Sequence, residues 1–205
     1  MGYECVVNQP VREPQQDRSR ITRERLLTAT TDVLADEGWA AATVARVAEQ
    51  AGVSRGAAQH HFPTRELLIT AALEQMFTHL TSLTAADLGE LPDGPERIDV
   101  VVDRAVAIYT GHEFKAALQV WAAAASDEAL RRHIRPLEEK FARGAHAMTL
   151  IGLDPSGEDP RAHRLAQATL DLARGLGLAD TLSDDSRRRA QVVATWTEQV
   201  KLALQ

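Results

Sequence analysis

The twenty residues from Thr43 to Phe62 constrain this chain more than any other stretch of it. Val44, Val47 and Ala48 recur at i, i+3 and i+4, which gives one apolar face to a short helix. Thr43 stands where its N-cap belongs. Gly52 can take the left-handed backbone conformation that stops a helix and turns the chain sharply. Val53 plugs the angle that follows, and Ser54 is placed to cap a second helix at the N–H groups of Gly56 or Ala57. Two short helices joined in this way make a helix-turn-helix, whose second helix is shaped to enter the major groove of DNA.

The flanks complete a small helical unit over residues 17–65. A first helix is predicted over about 18–37, with Leu26, Leu27, Ala29, Val33 and Leu34 on its buried face and Gly38 ending it. Trp39 then closes the core of the three helices. Phe62-Pro63 terminates the third, because the residue before a proline is pushed out of the helical region. Residues 1–16 carry Pro10, Pro14, Gln15 and Gln16 without a periodic apolar face and are expected to form a flexible arm. Arginines 12, 18, 20, 23 and 25 cluster where that arm meets the first helix. Arg20 is either part of a solvated helix start or a phosphate contact.

Charge sharpens this division. The chain has a net charge of −6, yet up to Arg65 eight arginines balance eight acidic residues, so the whole excess lies beyond that point. Any contact with DNA must therefore come from a local basic surface rather than from global attraction. The single Cys5 excludes an intramolecular disulfide. With Glu4 and only a three-residue apolar run, the N-terminus is not expected to be a signal peptide. No run approaches the roughly twenty apolar residues of a membrane span. A cytoplasmic location is the expectation.

Residues 66–205 read as further helices, giving an all-α chain of about nine. Thr64 is placed to cap a long helix over about 65–86, which carries Leu68, Ala72, Met76, Leu80 and Leu83 on one side and joins the N-terminal unit to the rest. Helices follow over about 95–110 (Ile98, Val101, Ala105, Ile108) and 112–125 (Phe114, Leu118, Trp121, Ala125). Another spans 127–152 with Leu130, Ile134, Leu137, Phe141, Met148 and Ile151, where Pro136 is expected to kink or split it. Asp159 and Pro160 are placed to start an eighth helix, in which Gly175 and Gly177 permit close approach, and a ninth ends the chain.

Together the segments Leu26-Leu27, Val33-Leu34, Gly38-Trp39, Thr43-Val44, Val47-Ala48, Ala51 to Ala57, His61-Phe62 and Arg65 to Leu67 resemble the TetR family of transcriptional regulators over about residues 20–70. The resemblance implies a homodimer with one helix-turn-helix per subunit, a near-palindromic double-stranded DNA operator and a small-molecule effector held among the C-terminal helices. By position it implies that Thr43 holds a phosphate and that Arg55, Gly56 and Ala57 face base edges. Arg65 stands where the family often has a lysine that contacts phosphate. The chain departs from the family at Ala58-Gln59, where leucine and a backbone-touching tyrosine are common. Gln59 can still donate to phosphate, or read an adenine edge with both ends of its amide. Arg55 is the best residue for a guanine O6/N7 contact, with a phosphate contact as the alternative. Ser54 completes the DNA-facing set.

His60 and His61 do not suit a metal, since neighbours on a helix point about 100° apart and no third ligand is near. His60 is expected to face DNA. No cofactor, metal or catalytic motif is read from the chain.

In the C-terminal part, Phe77, Tyr109, Phe114, Leu118, Trp121, Phe141, Met148 and Leu172 are expected to line an apolar effector cavity, although each has core packing as its alternative. Leu165, Leu172, Leu176, Val193, Trp196 and Val200 make apolar stripes on the last two helices, suited to a four-helix interface between two copies. The expectation is a ligand-responsive regulator, a repressor released from its operator by a small, largely apolar effector. An all-α enzyme or an adaptor that merely resembles one is the alternative.

Overall fold

Apolar residues at helical spacing bury into one layered helical fold in the computed structural model, which describes residues 15–88 and 91–205. Among these the chain forms nine α-helices and no strand. They are α1 (Gln15–Glu37), α2 (Val44–Gln50), α3 (Arg55–His61), α4 (Arg65–Leu88), α5 (Glu96–Thr110), α6 (His112–Ser126), α7 (Glu128–Leu153), α8 (Ala162–Ala179) and α9 (Ser186–Leu204). A short 3-10 turn, Trp39–Ala41, separates α1 from α2. The predicted arm over 1–16, with Cys5 and Arg12, lies outside the described residues, except that Gln15 and Gln16 already belong to α1.

The N-terminal unit is built on α1. Leu26, Leu27, Val33 and Leu34 are at most 1% exposed. Burial at that level stabilises by roughly 1.5–3 kcal/mol per side chain. Against them pack Val47 and Ala48 of α2, Ala58 of α3 and Phe62. The small Ala58 is fully enclosed in this core, so the space left by a missing leucine is closed by its neighbours. Gly52, at φ 65°, makes the turn between α2 and α3. Such a φ is strained for any residue with a Cβ.

Beyond this unit, α1 also packs on α6 and α4, so the N-terminal and C-terminal helices share one continuous core. At the heart of the C-terminal part, α5 is flanked by α7, α8 and α9. Its closest approach to α8 is set by Gly177, where an added Cβ would run into the Tyr109 carbonyl and the Phe114 ring. Gly175 has no such role, because a Cβ there meets open space.

Several local expectations are corrected. Pro136 does not split α7, which runs unbroken through it. Asp159 does not cap α8; its carboxylate accepts instead from the backbone N–H of Arg161 (2.8 Å) and from the Arg161 guanidinium. Ile151 is half exposed and Ala125 is exposed, with Ala124 the buried alanine of that turn. Thr64 caps α4 as expected, accepting from Leu67 N–H at 3.3 Å. No helix among the described residues is long and apolar enough to cross a membrane.

Candidate nucleic-acid interface and effector cluster

Both helices of the turn motif start on side-chain caps. Thr43 Oγ1 accepts from Arg46 N–H (3.2 Å) and Ser54 Oγ accepts from Ala57 N–H (3.1 Å). Each hydroxyl thus uses a lone pair and keeps its proton for an outside acceptor such as phosphate. Ser54, Arg55, Gly56, Gln59 and His60 are all exposed, while Ala57 is half-buried and Ala58 faces inward. The result is a short helix with one polar outer face, supported from beneath by Ala58 and Phe62.

The cations around this face differ in how free they are. Arg20 is exposed and pairs with Glu24, one turn away (2.9 Å). Arg46 is bound by Glu37, Glu49 and Gln50, so the arginine of α2 is spent on tying that helix to the end of α1. That bond holds the Glu37 carboxyl below the ordinary carboxylate range. Arg65 is half-buried, lies over the Trp39 ring at 4.1 Å and donates to the Trp39 carbonyl. Its Nε is buried without an acceptor.

Trp39 links this face to the C-terminal helices. Its backbone N–H donates to Gln119 Oε1 of α6 (3.3 Å), while its ring and carbonyl hold Arg65 at the start of α4. A second link lies in a cleft of about 340 Å³ between α1, α4 and α6. There His112 of α6 sits 3.2 Å from Asp32 of α1, and His79 of α4 sits 3.2 Å from Glu113 of α6. Gln119 was not legible as a functional residue, because its only sequence signal is a polar side chain among apolar ones.

Of the residues predicted to line an effector cavity, the aromatic ones form a connected chain. Phe77 stacks on Phe141 at 4.4 Å, Phe141 meets Tyr109 at 6.2 Å, Tyr109 meets Phe114 edge-on at 5.2 Å, and Phe114 meets Trp121 at 5.7 Å. Leu118 packs half-buried beside them. Two residues fall elsewhere. Met148 borders a separate crevice of about 10 Å³ with Ile108 and Thr149, and Leu172 faces a groove on the opposite side of α8. The sequence reading missed Arg174, whose guanidinium lies 5.2 Å from the Tyr109 ring and 6.0 Å from that of Trp121. An arginine set between Ala173 and Gly175 in the small-residue half of α8 is the signal that would have found it. Burial pushes the Tyr109 phenol up, against the opposing pull of Arg174.

The predicted intersubunit stripe is corrected in part. Val200 is fully buried, and Leu176 and Val193 are at most 9% exposed, so these three serve the core of the single chain. Leu165 is half-buried against that same interior. Trp196 spends its Nε1–H on Thr169 Oγ1 (2.9 Å). One edge of its ring still borders an open apolar groove of about 340 Å³ with Leu172, Gln191, Val192, Thr195 and Gln199.

Residues 26–72 match the family described as "Bacterial regulatory proteins, tetR family". The chain is 34% identical over 131 residues to the HTH-type transcriptional regulator CymR of Pseudomonas putida, a match that spans 64% of each protein. Its fold is similar to that of a protein from Pseudomonas aeruginosa PAO1 described as a transcriptional regulator, at TM-score 0.67 and 23% identity over 95% of this chain and 97% of that one. It is also similar to a protein from Saccharomonospora viridis, described as a transcriptional regulator in complex with choline, at TM-score 0.65 and 20% identity over 91% and 94% of the two chains.

Proposed function

From the match of residues 26–72 to the tetR family of bacterial regulatory proteins, we propose that the chain is a ligand-responsive repressor that binds a near-palindromic operator as a homodimer. The observation that carries this reading is the polar outer face of α3, where Arg55, Gly56 and Gln59 are exposed on a helix capped by Ser54. In this reading Arg55 meets a guanine edge, Ala57 packs beside the same bases, and Gln59 and His60 extend the contact along the groove. Thr43, Ser54 and Arg20 hold phosphates. Arg65 reaches phosphate only with its outer nitrogen, since Trp39 fixes the rest of it.

Two further elements support the regulator reading. The groove bordered by Leu172, Val192 and Trp196 is the apolar surface on α8 and α9 left over for a second copy. In this reading an effector inserts among the buried aromatic side chains from Phe77 to Trp121, and α6 carries their displacement directly to Trp39 through Gln119. Effector occupancy then biases the spacing of the two recognition helices. A coupling of about 1–3 kcal/mol suffices, since it changes operator affinity roughly 5–150-fold.

The test is selection of genomic fragments by the purified chain at low salt. Enrichment of a short near-palindrome beside a small set of genes is the expected result. Fragments recovered without shared sequence would overturn the reading.

A further inference from the structure

Two hydrogen-bond donors stand without acceptors in the aromatic cluster. Trp121 Nε1 and Arg174 Nε are both buried and neither has a partner. A buried donor left unmade costs about 1–3 kcal/mol, so two in one place ask for an explanation. Elsewhere on the Arg174 guanidinium, Nη1 donates to Asp171 (3.2 Å) and Nη2 to Tyr109 Oη (3.3 Å). The two buried nitrogens here with no partner are the indole Nε1 of Trp121 on α6 and the charged Nε of Arg174 on α8, beside the Tyr109 and Phe114 rings.

Donors without acceptors select for one kind of ligand. We propose that the effector is a small molecule with an apolar part, suited to the Tyr109 and Phe114 rings, and an acceptor oxygen, carboxylate or carbonyl, that takes the hydrogens of Trp121 Nε1 and Arg174 Nε. This assignment rests on the reading of the chain as a ligand-responsive regulator. A quaternary ammonium ligand is disfavoured by the same geometry. The guanidinium already occupies the place over Tyr109 and Trp121 that such a cation would take, and like charges in a partly desolvated site repel. The nearby acids do not alter this. Asp171 is 54% exposed and already paired with Arg174, and Glu138 acts on Tyr109 only through its charge. The site therefore differs in ligand charge from the choline complex of similar fold.

The experiment uses the full chain and four matched probes of similar size: phenylacetate, phenylacetamide, ethylbenzene and benzyltrimethylammonium. Binding is read from the melting temperature and from tryptophan fluorescence. The oxygen-bearing probes are expected to bind, and the comparison of phenylacetate with phenylacetamide distinguishes carboxylate from carbonyl. Trp121→Phe keeps the ring and removes the N–H; it is expected to weaken oxygen-probe binding about 5–30-fold while leaving ethylbenzene unchanged. Arg174→Lys keeps the charge, removes Nε, and serves as the second variant should Trp121→Phe fail to fold.

The assignment falls if no oxygen probe binds. It falls equally if ethylbenzene or benzyltrimethylammonium binds as tightly as the oxygen probes, or if both variants bind them unchanged. Operator release separates the two levels. Release by benzyltrimethylammonium alone would leave the regulator reading intact and remove the acceptor assignment. Oxygen-probe binding abolished by the variants, with no operator recognised, would keep the assignment and remove the regulator reading.

Discussion

Arg55 and Arg65 are two arginines ten positions apart, and their surroundings give them different work. Arg55 is exposed on the outer face of α3, and among the described residues no hydrogen bond or ion pair of its side chain is found. Arg55→Ala is therefore expected to leave the melting temperature within about 2 °C of wild type, as for a surface change within ±0.5 kcal/mol. The same change should weaken binding to the selected operator by about 1–3 kcal/mol if the contact is bidentate to guanine. Comparison with a scrambled fragment decides the role: loss confined to the operator indicates base reading, and equal loss on both indicates phosphate. Arg65→Ala should instead lower stability, because it removes a guanidinium stacked on Trp39 and bonded to its carbonyl. About 0.5–2 kcal/mol is expected for the lost stacking, measured by denaturant titration. Unchanged stability would contradict that view of Arg65. The family resemblance placed both arginines near DNA. It could not reveal that one of them holds a tryptophan, since that depends on where α4 begins relative to the 3-10 turn.

At the level of elements, α8 separates two glycines that look alike in sequence. Gly177 lies where α8 meets α5, and a methyl group there would strike backbone. Gly177→Ala should destabilise by about 1–3 kcal/mol, the usual cost of overpacking, or more because the obstacle cannot move aside. Gly175 meets open space, so Gly175→Ala should be neutral or stabilising by up to about 1 kcal/mol through helix propensity. Equal effects in thermal melts would contradict the packing described. The loop after α7 gives a pH prediction. The Asp154 carboxylate accepts from the Ser156 hydroxyl (2.6 Å) and from the N–H groups of Gly157 and Asp159, which holds it below the ordinary carboxylate range. A folded pKa below the unfolded one means that the contribution is present above the unfolded value of about 3.9 and is lost as pH falls through the lower folded value. Melting temperature should therefore drop more steeply below about pH 4 in wild type than in Asp154→Asn. Parallel curves would refute it.

These elements were legible to different degrees. Helix positions and the caps of Thr43, Ser54 and Thr64 followed from spacing and capping chemistry, which are local. Val193 and Val200 sit on the same apolar stripe as Trp196, yet they face the chain's own core. Periodicity reports that a face is buried, not against what. The same blindness applied to Arg174 and Gln119, whose roles arise from contacts 65 and 80 residues away in sequence.

For the whole molecule, the shared core of α1, α4 and α6 makes the recognition surface and the aromatic cluster one mechanical unit. Gln119 sits at the joint. Gln119→Ala removes the acceptor of the Trp39 N–H and should reduce the effector's influence on operator affinity while leaving effector affinity without DNA near wild type. A variant whose operator affinity still responds fully would show that coupling runs elsewhere, for example through His112 and Asp32. The measurement that tests the central claim most directly is a titration of the selected operator, and of a scrambled duplex, with the purified chain across a salt series. Two protomers per operator, affinity falling linearly in log–log form with salt, and at least about a thousandfold preference over the scrambled duplex are expected. Equal affinity for the two duplexes at every salt concentration would contradict it.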